Sequence, residues 1–394
     1  MQTVKAPAIF APGYERARSV DPVAVDNYVA HMRVGDPLAD AVQADLWELP
    51  RPESTRLIRA AIEQQDNVLC HAPRSLQDFV HEVTTVPAWY DRAVAVDGCR
   101  VFLRNADQFL AAFAAGAIVE GFATMISKSF AITGRMIDDG VRRLKQNIRH
   151  LLDIFLPRGV EPSGDGWKLT LRIRLVHARV RALVGASEEW DHDAWGMPVS
   201  AAHLALASTA FSARLIELAE MLGAEFRHDD DREAFMAVWC YDSWLMGVPN
   251  ELMYHSQADG LRLFAIGSTC EPPPDLDAIA LANCIVNSAP VVIGVTERRA
   301  RAKFAKYAYR ISRELIGDAR ADQLNFPPRR LLPTLPWLRV REHLQRWIGR
   351  FCPAVGKTQR LRSFTHLLSL TDLDTAGIRY DLPDHVRSDM SSRW

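Results

Sequence analysis

The stretch WKLTLRIRLVHARVRALVG, residues 167–185, has apolar residues at intervals of three and four, which is the spacing of an amphipathic helix. On a helical wheel one stripe is apolar except for a single histidine, and its members are Leu169, Ile173, Val176, His177, Val180 and Val184. Arg174 and Arg181 stand three residues before and four residues after the histidine. The spacing predicts a long helix that turns His177 inward, with arginines along the edges of the stripe.

The same periodicity recurs along most of the chain. DPVAVDNYVAHM (21–32), DPLADAVQADLWEL (36–49) and STRLIRAAIEQQ (54–65) each pair a capping residue with a helical apolar pattern, and runs of Val, Ile and Thr of strand length are rare. We therefore predict an all-α protein. We expect one large helical domain over residues 1–370, with its core at about 86–255, and a polar tail over 371–394.

Bulk composition argues against several classes of partner. The 47 basic and 48 acidic residues nearly cancel, so the overall charge indicates neither nucleic acid nor an anionic membrane as a partner. Six scattered cysteines without C-x-x-C spacing suit a reducing compartment, and the N-terminus lacks the pattern of a secretory signal. We expect a cytoplasmic protein, and nothing in the sequence indicates its oligomeric state.

Two apolar runs are long enough to be compared with membrane spans. FLAAFAAGAIVEGFATMI (109–126) is interrupted by Glu120, and AIALANCIVNSAPVVIGV (278–295) contains Asn283, Asn287 and Pro290. Polar and helix-breaking residues at such positions are typical of buried helices in a large helical protein. We therefore predict no stable membrane span.

The histidine in the apolar stripe has two interpretations. The pattern alone favours a core histidine bonded to a neighbouring carbonyl, with arginines solvating the helix edges. The alternative is a metal ligand, and haem iron fits best because one neutral imidazole can be its sole protein ligand. Arg174 and Arg181 could then pair with the haem propionates. A zinc or non-haem iron site would need further ligands at helical spacing, and His177 has none nearby.

Several short segments occur together in a recognisable order. They are GDPLAD (35–40), VPAWYD (86–91), TGRMIDDGVRRL (133–144), RLVHARVR (174–181), WGMPVS (195–200), AFS (210–212) and YDSWLMGVPNEL (241–252). In this set the chain resembles the latex clearing protein (rubber oxygenase) and MpaB oxygenase family. The resemblance implies a globin-like helical core with added helices, and a haem b enzyme that cleaves isoprenoid double bonds with dioxygen. It implies that His177 is the proximal haem ligand.

The resemblance is less complete on the side that would face the bound oxygen. The family has an arginine and, four residues later, a threonine, and here these positions are Arg143 and Asn147. Rubber-cleaving members have a lysine where this chain has Gln146, and a glutamate where strict spacing gives Ser127. Glu120 lies seven residues before Ser127, roughly on the same helix face, and is the candidate proton acceptor. These departures put cleavage of rubber itself in doubt.

We therefore predict a haem b-dependent oxygenase that acts on an apolar or isoprenoid-like small molecule with dioxygen. Apolar helices over 106–126 and 200–222 are expected to line its substrate pocket. Three alternatives stay open at this point. They are a peroxide-driven oxidation or hydroxylation of a metabolite on the same scaffold, a haem carrier or gas sensor without turnover, and a helical protein without haem.

Overall fold

The computed structural model describes residues 4–133, 140–328, 334–336 and 338–340. Every regular element within these residues is a helix, and no strand occurs among them. The predicted all-α class is confirmed. The predicted polar tail at 371–394 and the middle of the TGRMIDDGVRRL segment lie outside the described residues.

Seven α-helices form the N-terminal part of the described chain. They are α1 (Ala11–Arg18), α2 (Pro22–Ala30), α3 (Pro37–Trp47), α4 (Arg51–Ile62), α5 (Asp66–Leu69), α6 (Arg74–Thr84) and α7 (Arg92–Arg104). Two of them begin as the sequence predicts. The carboxylates of Asp21 and Asp36 accept bonds from the N–H groups of Ala24 and Ala39, and each cap is followed by a proline.

The central helices include the one that carries the quoted stretch. They are α8 (Ala106–Ala112), a π-helical turn (Phe113–Ala117), α9 (Ile118–Phe122), α10 (Ile126–Ile132), α11 (Gly140–Phe155), α12 (Asp165–Gly185), α13 (His192–Trp195), α14 (Ala201–Phe211), α15 (Ala213–Met221) and α16 (Asp229–Leu245). The predicted helix 167–185 corresponds to α12. It packs against α3 and α11, and these contacts decide which of its faces is buried.

Four further helices follow, with short 3₁₀ turns at Ala8–Phe10, His31–Arg33 and Asn250–Leu252. The helices are α17 (Gln257–Cys270), α18 (Leu276–Val292), α19 (Arg298–Ile316) and α20 (Asp318–Gln323).

The largest apolar cluster draws on helices from α3 to α20. At its centre the rings of Phe102, Phe109, Phe155 and Phe235 stack with centroids 4.4–5.5 Å apart. Offset stacking of this kind adds to the free energy that apolar burial contributes.

Both apolar runs singled out in the sequence contribute to this cluster. Phe109, Phe113 and Val119 from the first run are buried, as are Leu281 and Ile285 from the second. No single helix among the described residues is long and apolar enough to cross a membrane. The segments Ala106–Phe122 and Ile126–Ile132 meet that criterion only as a pair, and the pair is bent by 79°.

Candidate functional site

The face of α12 that is buried is not the face that the helical wheel predicts. Leu169, Ile173, Val176, His177 and Val180 are only half-buried, and within the stripe Val184 alone is fully buried. Arg174 and Arg181 are 3% and 4% exposed. The prediction that the arginines edge a buried stripe was therefore wrong. The guanidinium groups point into the protein, while the apolar stripe with the histidine is partly open.

Arg174 is buried because the carboxylate of Asp36 meets it. Its Nε and Nη2 donate to the two oxygens of Asp36 at 2.6 and 2.9 Å, and its Nη1 donates to the carbonyl of Leu245 at 3.2 Å. Asp36 also caps α3 by accepting from Ala39 at 3.2 Å. All three nitrogens of Arg174 thus have partners. Removing one member of such a buried pair typically costs about 3–5 kcal/mol of folding free energy.

Arg181 forms a second pair one helical turn beyond the histidine. Its Nε donates to the oxygens of Asp40 at 2.8 and 3.0 Å, and its Nη1 donates to the carbonyl of Val199 at 2.6 Å. Burial raises the pKa of Asp40, and Arg181 partly offsets that rise. The Nη2 atom of Arg181 is buried and bonds to none of the described residues. Arg181, unlike Arg174, keeps one unused donor.

Two glycines allow these ion pairs to form. A side chain at Gly35 would lie 2.7 Å from Nε of Arg181, and one at Gly247 would lie 2.7 Å from Nε of Arg174. Gly247 also has a φ of +88°, a conformation that favours glycine. Three segments quoted in the sequence analysis, GDPLAD, RLVHARVR and YDSWLMGVPNEL, therefore meet around the pairs that hold α12. We call these two ion pairs, Asp36–Arg174 and Asp40–Arg181, the α12 clamp.

His177 lies between the two arms of the α12 clamp. Its Nδ1 atom is buried and has no hydrogen-bond partner among the described residues. Burial, together with the positive charge of Arg181, lowers the pKa of His177 from 6.5 to about 4. The imidazole is therefore neutral at pH 7, which is the state that binds a metal. The prediction of a core histidine bonded to a carbonyl finds no such bond at Nδ1.

The residues predicted for the oxygen side lie on α11, which packs against α12. Arg143 is buried, and its guanidinium carbon lies 4.1 Å from the centre of the Phe130 ring. Asn147 donates from Nδ2 to the carbonyl of Arg143 at 2.9 Å. The structure thus places Arg143, Asn147 and His177 on two neighbouring helices.

His150 is not among the residues singled out from the sequence, and the structure gives it a defined hydrogen-bond network. Its Nε2 lies 2.8 Å from Oγ1 of Thr170, and that hydroxyl donates to Asp242 at 2.5 Å. Both Thr170 and Asp242 are buried. His150 follows Arg143 by seven residues and so lies on roughly the same face of α11.

Glu120 lies in a different environment from the other predicted residues. Both of its carboxylate oxygens accept bonds from Arg214 of α15, at 2.9 and 3.1 Å, and Arg214 also pairs with Glu217. Among the described residues no hydrogen bond joins Glu120 to α11 or α12. The segments 106–126 and 200–222, which were expected to line a pocket, pack directly on one another near Glu120. The contact is close enough that a side chain at Gly116 would lie 2.8 Å from Leu218.

No group of three or more metal-binding side chains occurs within the described part of the chain. The acidic loop around Asp191 is explained by local structure. Asp191 accepts from two N–H groups at the start of α13, and His192 bonds to the carbonyl of Gly185.

The fold and site define an all-helical protein whose candidate site is organised around one neutral histidine on a clamped helix. A protein-family model described as "ER-bound oxygenase mpaB/B'/Rubber oxygenase, catalytic domain" matches residues 99–347. Because this match covers more than half of the chain, the chain belongs to that oxygenase family, and the predicted resemblance is confirmed. Family membership supports an oxidoreductase.

A solved structure described as "Structure of Latex Clearing Protein LCP in the closed state" has a similar fold. Its TM-score is 0.64 at 18% identity, and the alignment covers 90% of this chain and 95% of that one. A likeness at this identity establishes the fold. No curated protein sequence matches the chain.

Proposed function

We propose that the protein is a haem b-dependent oxygenase that oxidises an apolar or isoprenoid-like small molecule with dioxygen. One observation carries the proposal. His177 is neutral, has a buried nitrogen without a partner among the described residues, and stands on a half-open apolar stripe of α12. An apolar face with one free imidazole suits a porphyrin and its iron.

The two arginines beside His177 differ in whether they have a donor left for a haem propionate. Arg181 has an unused buried donor at Nη2, which suits a propionate, whereas the three nitrogens of Arg174 are taken by Asp36 and Leu245. We therefore assign a propionate contact to Arg181 and an orienting role to Arg174. Haem b, when bound, supplies the redox chemistry with dioxygen, and the protein sets access, polarity and orientation.

Arg143 and Asn147 of α11 are the polar groups that we propose for the oxygen side of the site. A buried guanidinium would stabilise negative charge that develops on oxygen. Glu120 suits a proton-accepting role less well, because both of its oxygens already accept bonds from Arg214. A proton could reach this carboxylate only by displacing one of those bonds.

Expression with a haem precursor and measurement of the Soret band tests the proposal directly. We expect a haem absorbance band in the wild type, a loss or shift of that band in His177→Ala, and an unchanged band in His192→Ala. His192 is the matched control because it is an exposed histidine that bonds only to a backbone carbonyl. A colourless wild-type protein, or an unaltered spectrum in His177→Ala, would contradict the proposal.

A second reaction on the same scaffold has support from particular residues. Asn147 bonds to its own helix, and the Ser127 hydroxyl donates to the carbonyl of Thr124, so neither supplies the groups of rubber-cleaving members. This favours a peroxide-driven oxidation or hydroxylation as the alternative. Parallel assays with dioxygen and with hydrogen peroxide separate the two by the oxidant consumed, and carbonyl products in an even pair favour cleavage. A stable oxy complex with every candidate alkene would instead indicate a carrier or sensor.

A further inference from the structure

Helix α19 carries a concentrated positive charge that the chain as a whole does not have. Seven basic residues and no acidic residue occur from Arg298 to Arg313, in a chain whose formal net charge is −1. Six of these seven side chains are exposed, and they are Arg298, Arg299, Arg301, Lys303, Lys306 and Arg310. The described ion pairs of α19 involve only the seventh, Arg313, which is buried and pairs with Asp318 and Asp322.

This arrangement is unfavourable for the helix on its own. Arginines occupy the first turn, where the helix dipole is positive, and that turn contains no acidic residue, the nearest being Glu297 at the N-cap. Arg299 and Lys303 are like charges four residues apart, and so are Lys306 and Arg310, which also destabilises a helix. Two independent local rules are broken in the same direction. Such a departure indicates a negatively charged partner that the described residues do not supply.

The opposite side of α19 is fully occupied by the protein. Ala308, Ile311 and Leu315 are buried against the core, and the Tyr309 hydroxyl bonds to Oδ1 of Asn283 at 2.8 Å. The helix therefore cannot rotate to insert an apolar face elsewhere. It presents only its basic side, as a rigid surface.

An exposed apolar residue stands beside these cations. Ile293, at the end of α18, is 38% exposed, and Gly294 after it turns with a φ of +79° into open space. Arg301 ties this turn to α19, because its Nε donates to the carbonyl of Val295 at 2.6 Å. We call the six exposed cations together with Ile293 the basic face.

We propose that the basic face docks the protein on an anionic lipid bilayer. A bilayer offers dense negative headgroups for the cations and an apolar layer beneath them for Ile293. Nucleic acid would meet the charge but not the apolar residue. Stacking on bases needs exposed aromatic rings, whereas Phe304, Tyr307 and Tyr309 of α19 pack against the core. The proposal depends neither on haem nor on the proposed reaction.

Co-sedimentation of the full-length protein with vesicles tests the inference. Vesicles of phosphatidylcholine alone are compared with vesicles containing roughly 30% phosphatidylserine. We expect binding only to the anionic vesicles, and release as added salt screens the charges. Lys303→Glu/Lys306→Glu should weaken this binding at least about 25-fold, because each reversed charge replaces an attraction with a repulsion. Arg59→Glu/Arg227→Glu, which alters the net charge equally on exposed positions in α4 and before α16, should bind as the wild type does.

The thermal midpoint of each variant shows whether it is folded, and that of Lys303→Glu/Lys306→Glu should not fall, since like-charge pairs are removed. Equal binding to neutral and anionic vesicles would contradict the proposal. So would equal weakening by the two double variants. Binding to a duplex oligonucleotide without binding to anionic vesicles would assign the basic face to nucleic acid and overturn the bilayer as its partner.

Discussion

At the residue scale, the main feature of α12 is that its charged side chains are more deeply buried than the neighbouring apolar stripe. Burial of a guanidinium is tolerated only where a carboxylate and further acceptors replace its water. Asp36 does so for Arg174 while also capping α3, so one side chain joins the start of one helix to the middle of another. Because the two ion pairs fix α12 on either side of His177, they also fix the orientation of His177.

The cost of breaking the α12 clamp can be measured against a more exposed ion pair whose aspartate also caps a helix. Asp36→Asn keeps a capping side chain but leaves the charge of Arg174 buried without a counterion, so we expect a loss of about 3–5 kcal/mol in unfolding free energy. Asp21 also caps a helix and pairs with an arginine, Arg262, whose side chain is 63% exposed. Asp21→Asn should therefore cost no more than about 1 kcal/mol. Denaturant titration of both variants measures these unfolding free energies. Equal losses of unfolding free energy would contradict a clamp function.

The low pKa of His177 predicts a pH dependence of stability in haem-free protein. In the folded protein the pKa of His177 is about 4, whereas in the unfolded chain it is near 6.5. Unfolding thus takes up a proton between these values, so the free energy of unfolding should fall as pH decreases through this window and level off below it. His177→Leu should show a shallower fall over the same interval. Parallel curves for the two proteins would mean that His177 does not titrate in this way.

At the element scale, sharp turns bring helices together around α12. The turn after α16 places Gly247 directly against both members of the Asp36–Arg174 pair. A longer side chain there would separate the charges as well as strain the backbone. Gly294, in the turn after α18, also has a positive φ, but a side chain there would have no atom within 4 Å.

These two turns form a matched test. Gly247→Ala combines left-handed strain with a clash against Asp36 and Arg174, and we expect it to lower stability by about 3 kcal/mol or more. Gly294→Ala carries the strain alone and should cost about 1–2 kcal/mol. Thermal unfolding of the two variants provides the comparison. The reverse order would show that the glycine does not serve the ion pair.

The Glu120–Arg214 pair links α9 to α15, and a double-mutant cycle tests whether it is structural. Glu120→Gln and Arg214→Gln should each destabilise the protein by about 2–4 kcal/mol, and the double variant by clearly less than their sum. If the pair is structural, oxygenase turnover should follow the folded fraction in all three variants. Full loss of turnover in a stably folded Glu120→Gln, with Arg214→Gln active, would restore a proton-accepting role for Glu120.

At the scale of the whole molecule, ligand binding is linked to folding. A group that binds the folded state alone stabilises it, by about 2.7 kcal/mol at a concentration one hundred times its dissociation constant. If haem b is the cofactor, as proposed, haem titrated into the haem-free protein should therefore raise the thermal midpoint of the wild type. It should raise that of His177→Ala much less. An equal rise in both would place haem away from α12.

The sequence by itself determined that the chain is all-α, that α2 and α3 begin at Asp-Pro caps, and which histidine belongs to an apolar stripe. Those features depend on spacing and capping within about ten residues. The tertiary structure decided which side of α12 is buried, because Asp36 and Asp40 lie 138 and 141 residues from the arginines that they hold. It likewise paired Glu120 with Arg214, 94 residues away. Local periodicity describes a helix surface, but only long-range charge pairing shows which part of that surface faces the core.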